Sequence, residues 1–572
     1  MRKILRSTKK YLPFIILTPI IIMVEVMLEV NIPLIMGRIV DYGIPSNDLN
    51  IVLNLGVRMV LIALLSLFCG SLGSILSSTG SIGFGSELRK EVFNKILNFS
   101  FENVDSFQQS SLLTRLTTDV MFIQQGLRMT MVMAIRAPFM MIAAATVAYG
   151  INKDLFIVFV VGAPILIITI VFLAKKAVPM FRYMLTKYDG LNDRAKEYLT
   201  NIRVVKSFVR EDYEVEKFKE INYELMTSSI KVEKLLVLIS PIMMVVIYST
   251  IIAILWLGGN QIMIGTMLTG ELISFISYVG QILAGLIMLA MIFLNFVRLK
   301  GSVERVNEVL NTDSLIVDGD YEGTLEDGSI QFNDVTFRYA LSSKDAIINA
   351  NLDIASGETI GIIGSTGSGK SSLVQLIARL YDVTSGSVIV GKRNVKDYKL
   401  DNLRKEVAMV LQQNVLFSGT IKDNLRWGNE KATDEEIMEA CKIANAHDFI
   451  TSFPDGYLTK LGQGGINLSG GQKQRICIAR ALLAKPKIII LDDSTSAVDT
   501  QTDASIRQAL KQQLKDTTTI VIAQRVASVM DADRVIVIDS GEIIDIDTPE
   551  NLIKTSEIYQ DIYYTQMKGV EI

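Results

Sequence analysis

The sequence contains little histidine, cysteine or charge. Among its 572 residues there is one histidine, His447, and the three cysteines Cys69, Cys441 and Cys477 lie far apart. That spacing predicts neither a disulfide framework nor a paired-cysteine metal site. Charged residues make up 20% and hydrophobic residues 49% of the chain, which argues against disorder, a coiled coil and a purely cytosolic enzyme. The net charge of −3 gives no basic surface for a nucleic-acid partner.

Long apolar runs fill the first half of the chain. Six of them reach the roughly 20 residues that a membrane-spanning helix needs, at 12–36, 51–86, 129–152, 155–174, 235–264 and 272–297. A buried helix of a soluble protein would rarely stay almost free of charge over such a length. We therefore predict a membrane α-helical domain with six transmembrane helices in residues 1–300, rather than a soluble core.

Basic residues predict how these helices are oriented. Lysine and arginine are concentrated at the N-terminus and in the long loops after the second and fourth runs, whereas the other three loops are short and poor in both. Because basic loops stay on the cytoplasmic side, we expect both termini and the two long loops to be cytoplasmic in a plasma-membrane protein. In the second long loop, Leu191, Tyr198 and Val205 recur at helical spacing. They predict spanning helices that continue out of the bilayer; a separate cytosolic subdomain is the alternative.

Two carboxylates lie inside the first apolar run. Glu25 and Glu29 are four residues apart and therefore share one helix face. Carboxylates in hydrocarbon are costly and usually face a cavity or a partner group. They predict either a site for cationic substrates or a structural pair that contacts another helix or lies near the outer membrane surface.

The composition changes after residue 300. Residues 301–328 are rich in aspartate and glycine, which predicts a linker between two domains. From residue 329 to residue 572, short apolar strands alternate with helical segments, which predicts an α/β domain.

A phosphate-binding loop lies near the start of this α/β domain. Residues 364–371 read Gly-Ser-Thr-Gly-Ser-Gly-Lys-Ser, after the apolar strand 359–363 and before the helical run 373–380. Glycines let backbone N–H groups turn toward phosphate oxygens, and the helix N-terminus adds a positive dipole. Lys370 can reach the β- and γ-phosphates, and the Ser371 hydroxyl can ligate Mg²⁺. The predicted ATP-binding residues here are Gly364, Ser365, Thr366, Gly367, Ser368, Gly369, Lys370, Ser371 and Ser372.

Two further segments complete the predicted nucleotide site. The apolar strand 488–491 ends at Asp492, which would hold Mg²⁺ directly or through water. Between the two motifs, another helix is opened by Ser469, Gly470, Gly471 and Gln472, and a helix N-terminus can bind anions. A second anion-binding terminus in one chain suggests that ATP is held between two subunits.

Together these motifs resemble those of the ATP-binding cassette (ABC) exporters, in the order and spacing of a half-transporter with six spans and one nucleotide-binding domain. The resemblance implies the type I exporter fold, with ATP and Mg²⁺ as ligands and membrane lipids around the spans. It implies that Tyr339 stacks on adenine and that Gln412 contacts Mg²⁺ and the membrane domain. It also implies a D-loop at 496–499, and short coupling helices near 101–107 and 209–215 that dock on the nucleotide-binding domains.

The sequence departs from the ABC family pattern at positions that support hydrolysis. Asp493 stands where the family normally has the glutamate that polarises the attacking water, and its carboxylate is one methylene shorter. Gln524 stands where the family normally has the switch histidine, and an amide does not titrate at neutral pH. His447 lies before the signature and cannot replace that histidine. Gln463, also before the signature, replaces a further family glutamate.

These departures predict the degenerate-site subunit of a heterodimeric multidrug exporter, as in the bacterial exporters that the chain resembles. Its own phosphate loop would hold ATP but hydrolyse it poorly. Its intact signature would complete the catalytic site of a non-identical second half-transporter. The resemblance favours amphiphilic or cationic drugs as small-molecule substrates and alternating access as the mechanism. The alternatives are a homodimeric lipid or peptide exporter and an ATP-gated channel or regulatory subunit.

Overall fold

Two compact units make up the structure. The computed structural model describes residues 2–493 and 500–568. The first unit comprises Met1–Lys95 and Ser110–Thr312, and the second comprises Ile96–Gln109 and Asp313–Ile572.

The predicted linker, residues 301–328, is divided between the two units. Its first part continues a helix that ends at Asn311, because Val306 and Val309 lie on one buried face. Its second part belongs to the second unit and buries Leu325 in the core of that unit. The last boundary between the units along the chain therefore lies directly after this helix.

Helices form the first unit. Their bounds, with those of the short helix α4 that belongs to the second unit, are α1 Arg2–Arg6, α2 Leu12–Arg38, α3 Leu49–Leu97, α4 Phe101–Phe107, α5 Gln109–Thr114, α6 Val120–Ile151, α7 Lys153–Thr200, α8 Ile202–Ser207, α9 Glu211–Val237, α10 Ile239–Ile264 and α11 Thr269–Asn311. A π-helical turn at Ile39–Gly43 follows α2, and another at Arg115–Asp119 precedes α6.

The predicted transmembrane domain with six spans is confirmed. By length and composition, six helical stretches within the described residues can cross a membrane: Lys9–Gly43, Leu49–Leu97, Gln109–Ile151, Lys153–Thr200, Glu211–Ile264 and Thr269–Leu289. Helices suit the bilayer because every backbone polar group pairs within the helix. Helices α3 and α7 run without a break for 49 and 48 residues. Since about 20 residues suffice to cross, the spanning helices continue beyond the bilayer, and the alternative of a separate subdomain is wrong.

Helices α2, α6 and α11 form a well-buried part of the first unit. Phe275 and Tyr278 of α11 are fully buried, and the Tyr278 hydroxyl donates a 2.6 Å hydrogen bond to the Val30 carbonyl of α2. Asp119, also fully buried, accepts a 2.7 Å hydrogen bond from Nε of Arg305 on α11. A buried carboxylate is costly unless it is paired, so this ion pair fixes the start of α6 against α11.

The first predicted coupling helix is confirmed as α4. Ser100 caps this helix. The ring centroids of Phe101, its first residue, and Tyr381 are 6.1 Å apart. The Tyr381 hydroxyl donates a 2.7 Å hydrogen bond to Asp105. Helix α4 is therefore part of the second unit, although its sequence lies between two spans.

The second predicted coupling helix, at 209–215, is wrong in its position. The short helix here is α8, which ends at Ser207, and Val209 adopts a left-handed backbone with φ of +52°. Helix α9 then begins at Glu211, because three acidic residues in its first turn favour a helix N-terminus. Phe208 and Val209 at the bend are 73% and 81% exposed.

The second unit is an α/β domain, as predicted. Its strands are β1 Ile330–Phe337, β2 Ile347–Ile354, β3 Thr359–Ile363, β4 Ser385–Val390, β5 Arg393–Asn394, β6 Val407–Val410, β7 Gly419–Thr420, β8 Lys460–Leu461, β9 Ile488–Asp492, β10 Thr518–Ile522, β11 Arg534–Asp539 and β12 Glu542–Asp547. Its remaining helices are α12 Lys370–Ile377, α13 Leu400–Glu406, α14 Ile421–Arg426, α15 Asp434–Ile443, α16 His447–Thr451, α17 Gly470–Leu483, α18 Thr500–Gln513, α19 Pro549–Thr555 and α20 Glu557–Lys568.

A six-stranded sheet positions the nucleotide motifs. Its order is β12–β11–β3–β10–β9–β6, in which β12 pairs antiparallel and the other five strands pair in parallel. An antiparallel sheet of order β2–β1–β4–β5 and the pair β7–β8 complete the unit. Ile522 of β10 is in register with both Ile362 of β3 and Asp492 of β9. The three strands therefore end at one edge, which is where parallel α/β sheets bind ligands.

Candidate functional site

The loop between β3 and α12 has the backbone of a phosphate cradle. Gly367 and Gly369 have φ of +83° and +103°, in the left-handed region that favours glycine. A Cβ at Gly369 would lie 2.4 Å from the Ala346 carbonyl oxygen. A Cβ at Gly364 would lie 1.9 Å from the Ile538 carbonyl oxygen, so neither position has space for a side chain. The loop leads directly into the N-terminus of α12, which favours an anion.

Lys370, the first residue of α12, folds back over this loop. Its Nζ donates hydrogen bonds to the carbonyl oxygens of Gly364 and Ser365, at 3.0 and 2.7 Å. Burial lowers the pKa of Lys370, and the carboxylates of Asp492 and Asp493 oppose that shift. A phosphate would replace these two carbonyl acceptors with a charged partner, which gives a stronger hydrogen bond.

Ser371 and Asp492 form an oxygen-donor pair suited to Mg²⁺. The Ser371 hydroxyl donates a 3.0 Å hydrogen bond to Oδ1 of Asp492. Asp492 is 3% exposed, and burial, together with the neighbouring carboxylate of Asp493, raises its pKa. Mg²⁺ prefers oxygen ligands and takes one or two of them from a protein, so the donor set fits the ion. When bound, Mg²⁺ neutralises phosphate charge, and these two residues would hold it.

Asp493 is surrounded by amide groups. Nε2 of Gln524 and Nε2 of Gln412 donate to Oδ2 of Asp493, at 2.8 and 3.5 Å. The carbonyl oxygen of Asp493 accepts a 3.2 Å hydrogen bond from Nε2 of Gln474. Burial raises the pKa of Asp493, whereas Gln412, Lys370 and Gln524 oppose the shift. The structure thus brings the two departures from the family pattern into direct contact, with Gln412 at their side.

The signature segment opens α17 and is exposed. The Ser469 hydroxyl accepts the backbone N–H of Gln472 at 3.3 Å, and Oε1 of Gln472 accepts the backbone N–H of Ser469 at 2.9 Å. Ser469 and Gly470 are both exposed, so this helix N-terminus is accessible to an anion held by another chain. Gln474 on the same helix was not predicted from the sequence, although it is 1% exposed and links α17 to Asp493. The feature of the sequence that could have indicated Gln474 is a polar amide among the apolar positions of α17.

Tyr339 lies beside the phosphate loop. Its hydroxyl is 2.9 Å from the Ser372 hydroxyl and donates a 3.1 Å hydrogen bond to Gln375, both on α12. Its ring meets the Phe337 and Tyr381 rings edge-on, at centroid distances of 4.7 and 5.1 Å. Burial raises the pKa of Tyr339. The ring is therefore fixed next to α12, and its stacking on adenine stays a prediction.

Three other residues or segments named in the sequence analysis do not join these contacts. Gln463 is exposed in a short turn before the signature. His447 lies 2.9 Å from the Tyr457 hydroxyl, as part of the packing around α16. The predicted D-loop at 496–499 lies outside the described residues.

A second candidate site lies among the helices of the first unit. Arg136 of α6 pairs with Glu25 at 2.8 Å and with Glu29 at 2.6 Å, both on α2. The prediction that the two carboxylates contact another helix is confirmed. All three residues line a cavity of about 1150 Å³, together with Arg128. Arg136 was not predicted as their partner; its signal is that it is the lone charge in the run 129–152.

The six spans, the phosphate cradle and the oxygen-donor pair define an integral membrane protein with a nucleotide-binding α/β domain. Residues 15–286 match the family described as ABC transporter transmembrane region, and residues 347–496 match the family described as ABC transporter. The chain belongs to the ABC transporter family.

Relatives and a solved structure match the chain over most of its length. Over 569 residues the chain is 37% identical to the uncharacterized ABC transporter ATP-binding protein YfiB of Bacillus subtilis, covering 99% of this chain and 98% of the relative. Over 486 residues it is 32% identical to the ATP-dependent lipid A-core flippase of Desulfotalea psychrophila, covering 84% of each. Its fold matches that of a bacterial Atm1-family ABC exporter solved with ATP bound, with a TM-score of 0.82, 22% identity and 98% of each chain covered. The chain is therefore an ABC transporter with an ATPase domain and with the fold of an ABC exporter.

Proposed function

We propose that this chain is the degenerate-site subunit of a heterodimeric multidrug exporter. The hydrogen bond between Gln524 and Asp493 carries the proposal. The neutral amide of Gln524 donates to the Asp493 carboxylate, which stands at the position of the general base. A general base must lie within about 2.6–3.2 Å of the proton that it accepts. A carboxylate one methylene short and held by an amide is poorly suited to reach the attacking water.

ATP binding is expected to survive these changes. The phosphate loop, Lys370 and the pair formed by Ser371 and Asp492 are all in place. Loss of a general base costs on the order of 10²–10⁴ in rate. We therefore expect this chain's own site to hold ATP and Mg²⁺ and to hydrolyse the nucleotide slowly.

The exposed signature supports a second subunit. Ser469 and Gly470 are accessible at the start of α17, where they can complete a site on another chain. Phe208 and Val209, at the bend between α8 and α9, add exposed apolar surface that suits contact with a partner. The proposed partner is a non-identical half-transporter that supplies the glutamate and histidine absent here.

The transport cycle follows from this division between two sites. ATP at both sites closes the two nucleotide-binding domains of a plasma-membrane pump, and hydrolysis at the partner-based site resets them. Such closure requires that ATP binds the closed state more tightly than the open one. Amphiphilic or cationic drugs are the proposed substrates. The second candidate is a homodimeric lipid exporter. The similarity to a relative named as a lipid A-core flippase favours it.

Transport in inside-out membrane vesicles tests this proposal. Vesicles carry this chain alone, or together with a candidate half-transporter that has the glutamate and the histidine absent here. ATP-driven accumulation of a cationic dye is followed by fluorescence. We expect accumulation only with both chains. Brisk accumulation by this chain alone would support the homodimer instead. Passive ion current without accumulation would indicate a channel.

A further inference from the structure

We propose that the cavity among the transmembrane helices binds a lipophilic organic cation at Glu25. This inference rests on the proposed export function and assigns a substrate class and a contact residue to it. The cavity, of about 1150 Å³, is somewhat larger than the roughly 300–1,000 Å³ of most small-molecule pockets. A molecule of drug size can therefore enter it.

The charges at this wall of the cavity do not balance. Glu25 and Glu29 share one guanidinium, that of Arg136, which contacts Oε1 of the first and Oε2 of the second. Two carboxylates and one guanidinium leave one negative charge. A charge in such an apolar setting interacts strongly with an opposite charge, because little water screens it.

Glu25 also has an oxygen without a partner. The residue is 8% exposed, and its Oε2 accepts no hydrogen bond from any residue in 2–493 or 500–568. A buried acceptor left unpaired costs free energy, so a positive charge brought to the Glu25 carboxylate from the cavity would stabilise it. By contrast, Glu29 lies at a more open position, with its side chain 31% exposed.

The neighbouring helix leaves room for this carboxylate. Gly70 of α3 lies so close that a Cβ there would be 2.7 Å from Oε1 of Glu25. The rest of the lining is largely apolar, with a few hydroxyls, and includes Ile22, Leu67, Val132, Met133, Ser66 and Ser74. Apolar walls around one negative charge suit a lipophilic cation better than a hydrophilic one.

Among the residues whose side chains the structure describes, one other charged residue lines the cavity. Arg128 lies eight residues before Arg136 on α6, which is about 12 Å along the helix axis. It is exposed, whereas Glu25 is buried, so its charge is better screened by water. A cation at Glu25 is therefore favoured over an anion at Arg128.

Binding of two ions of matched size and opposite charge tests this site. The full-length chain is placed in lipid nanodiscs without nucleotide, and binding of tetraphenylphosphonium and of tetraphenylborate is measured at equilibrium. We expect saturable binding of the cation only. Glu25→Gln should weaken it at least about tenfold, which corresponds to about 1.4 kcal/mol. Gly70→Ala, which keeps every charge but displaces the Glu25 carboxylate, should weaken it as well.

Two charge variants serve as comparisons. Arg128→Gln removes a repulsive charge and should tighten binding of the cation. Arg58→Gln, on α3 outside the cavity lining, should leave it unchanged. An unfolding temperature equal to that of the wild-type full-length chain shows that each variant is folded.

Several results would overturn the inference. The first is that the cation shows no saturable binding. The second is that the Glu25→Gln variant binds the cation as tightly as the wild type does. The third is that the anion binds more tightly than the cation and that Arg128→Gln abolishes this binding. Any of these would leave the proposed division between two ATP sites standing, because that division is measured by nucleotide hydrolysis and not by cation binding.

Discussion

Replacing Asp493 with glutamate and Gln524 with histidine should raise the ATPase activity of this chain, which we expect to be low when the chain is purified alone. The two residues are in direct contact, because the Gln524 amide donates a 2.8 Å hydrogen bond to Oδ2 of Asp493. Glutamate extends the carboxylate by one methylene, about 1.5 Å. Histidine removes the amide that now occupies the carboxylate.

The size of the effect follows from the role of the base. A positioned general base contributes on the order of 10²–10⁴ in rate, which is about 2.7–5.4 kcal/mol of activation free energy. We expect a gain of about 10²-fold, at the lower end of this range, because the other residues around Asp493 stay unchanged. The single changes should each give less than about tenfold, since residues in contact do not contribute additively.

Steady-state phosphate release measures this gain. The full-length chain is assayed alone in nanodiscs at saturating Mg²⁺ and ATP, as wild type, as each single variant and as the double variant. Adding Lys370→Ala to the double variant should abolish the activity, which excludes a contaminating ATPase. Rapid turnover by the wild type, or no gain from the double change, would refute the reasoning about the degenerate site.

Three further predictions concern the nucleotide-binding unit. ATP at a hundredfold excess over Kd should stabilise the protein by about 2.7 kcal/mol, and Lys370→Ala should remove most of this stabilisation. Lys431→Ala, at an exposed position, should keep it. A thermal shift assay that finds equal shifts for the two variants would contradict the placement of Lys370. Asp492→Asn should raise the stability of the nucleotide-free protein by up to about 1 kcal/mol at neutral pH. Folding raises the pKa of this carboxyl, so its ionisation costs stability as the pH rises through the ordinary aspartate range; denaturation at several pH values should show the gain vanish in acid. Burial raises the pKa of Cys441 to about 12 and also raises the pKa of Cys477. Both thiols should therefore resist iodoacetamide at pH 8 until the chain is unfolded. Mass spectrometry that finds either cysteine alkylated in the folded protein would contradict their burial.

Patterns that depend on local chemistry could be predicted from the sequence. Apolar runs predicted the six spans, because a bilayer admits only helices that pair their own backbone groups. The phosphate loop and Asp492 were predicted separately, and parallel strands bring them to one edge of the sheet. The Ser371–Asp492 hydrogen bond follows from that register.

Contacts between distant residues could not be predicted in the same way. Arg136 and Glu25 are 111 positions apart, and a lone charge in an apolar run requires a partner without identifying it. The bend before α9 depends on a positive φ at Val209, which is rare for a β-branched residue and leaves no mark in the sequence. Gln474 has no motif around it, although it supports Asp493 from α17.

The hydrogen bond between Asp493 and Gln524 also explains why the two departures from the family pattern belong together. An amide keeps its donor at every physiological pH, whereas a neutral histidine offers one donor and can gain or lose a proton. The Asp493 carboxylate is therefore held by the Gln524 amide, which neither takes up nor releases a proton. We therefore expect such a pair to slow hydrolysis of a bound nucleotide. Reverting either residue alone would leave a mismatched pair, which is why we expect the gain in hydrolysis from the double change to exceed the product of the single ones.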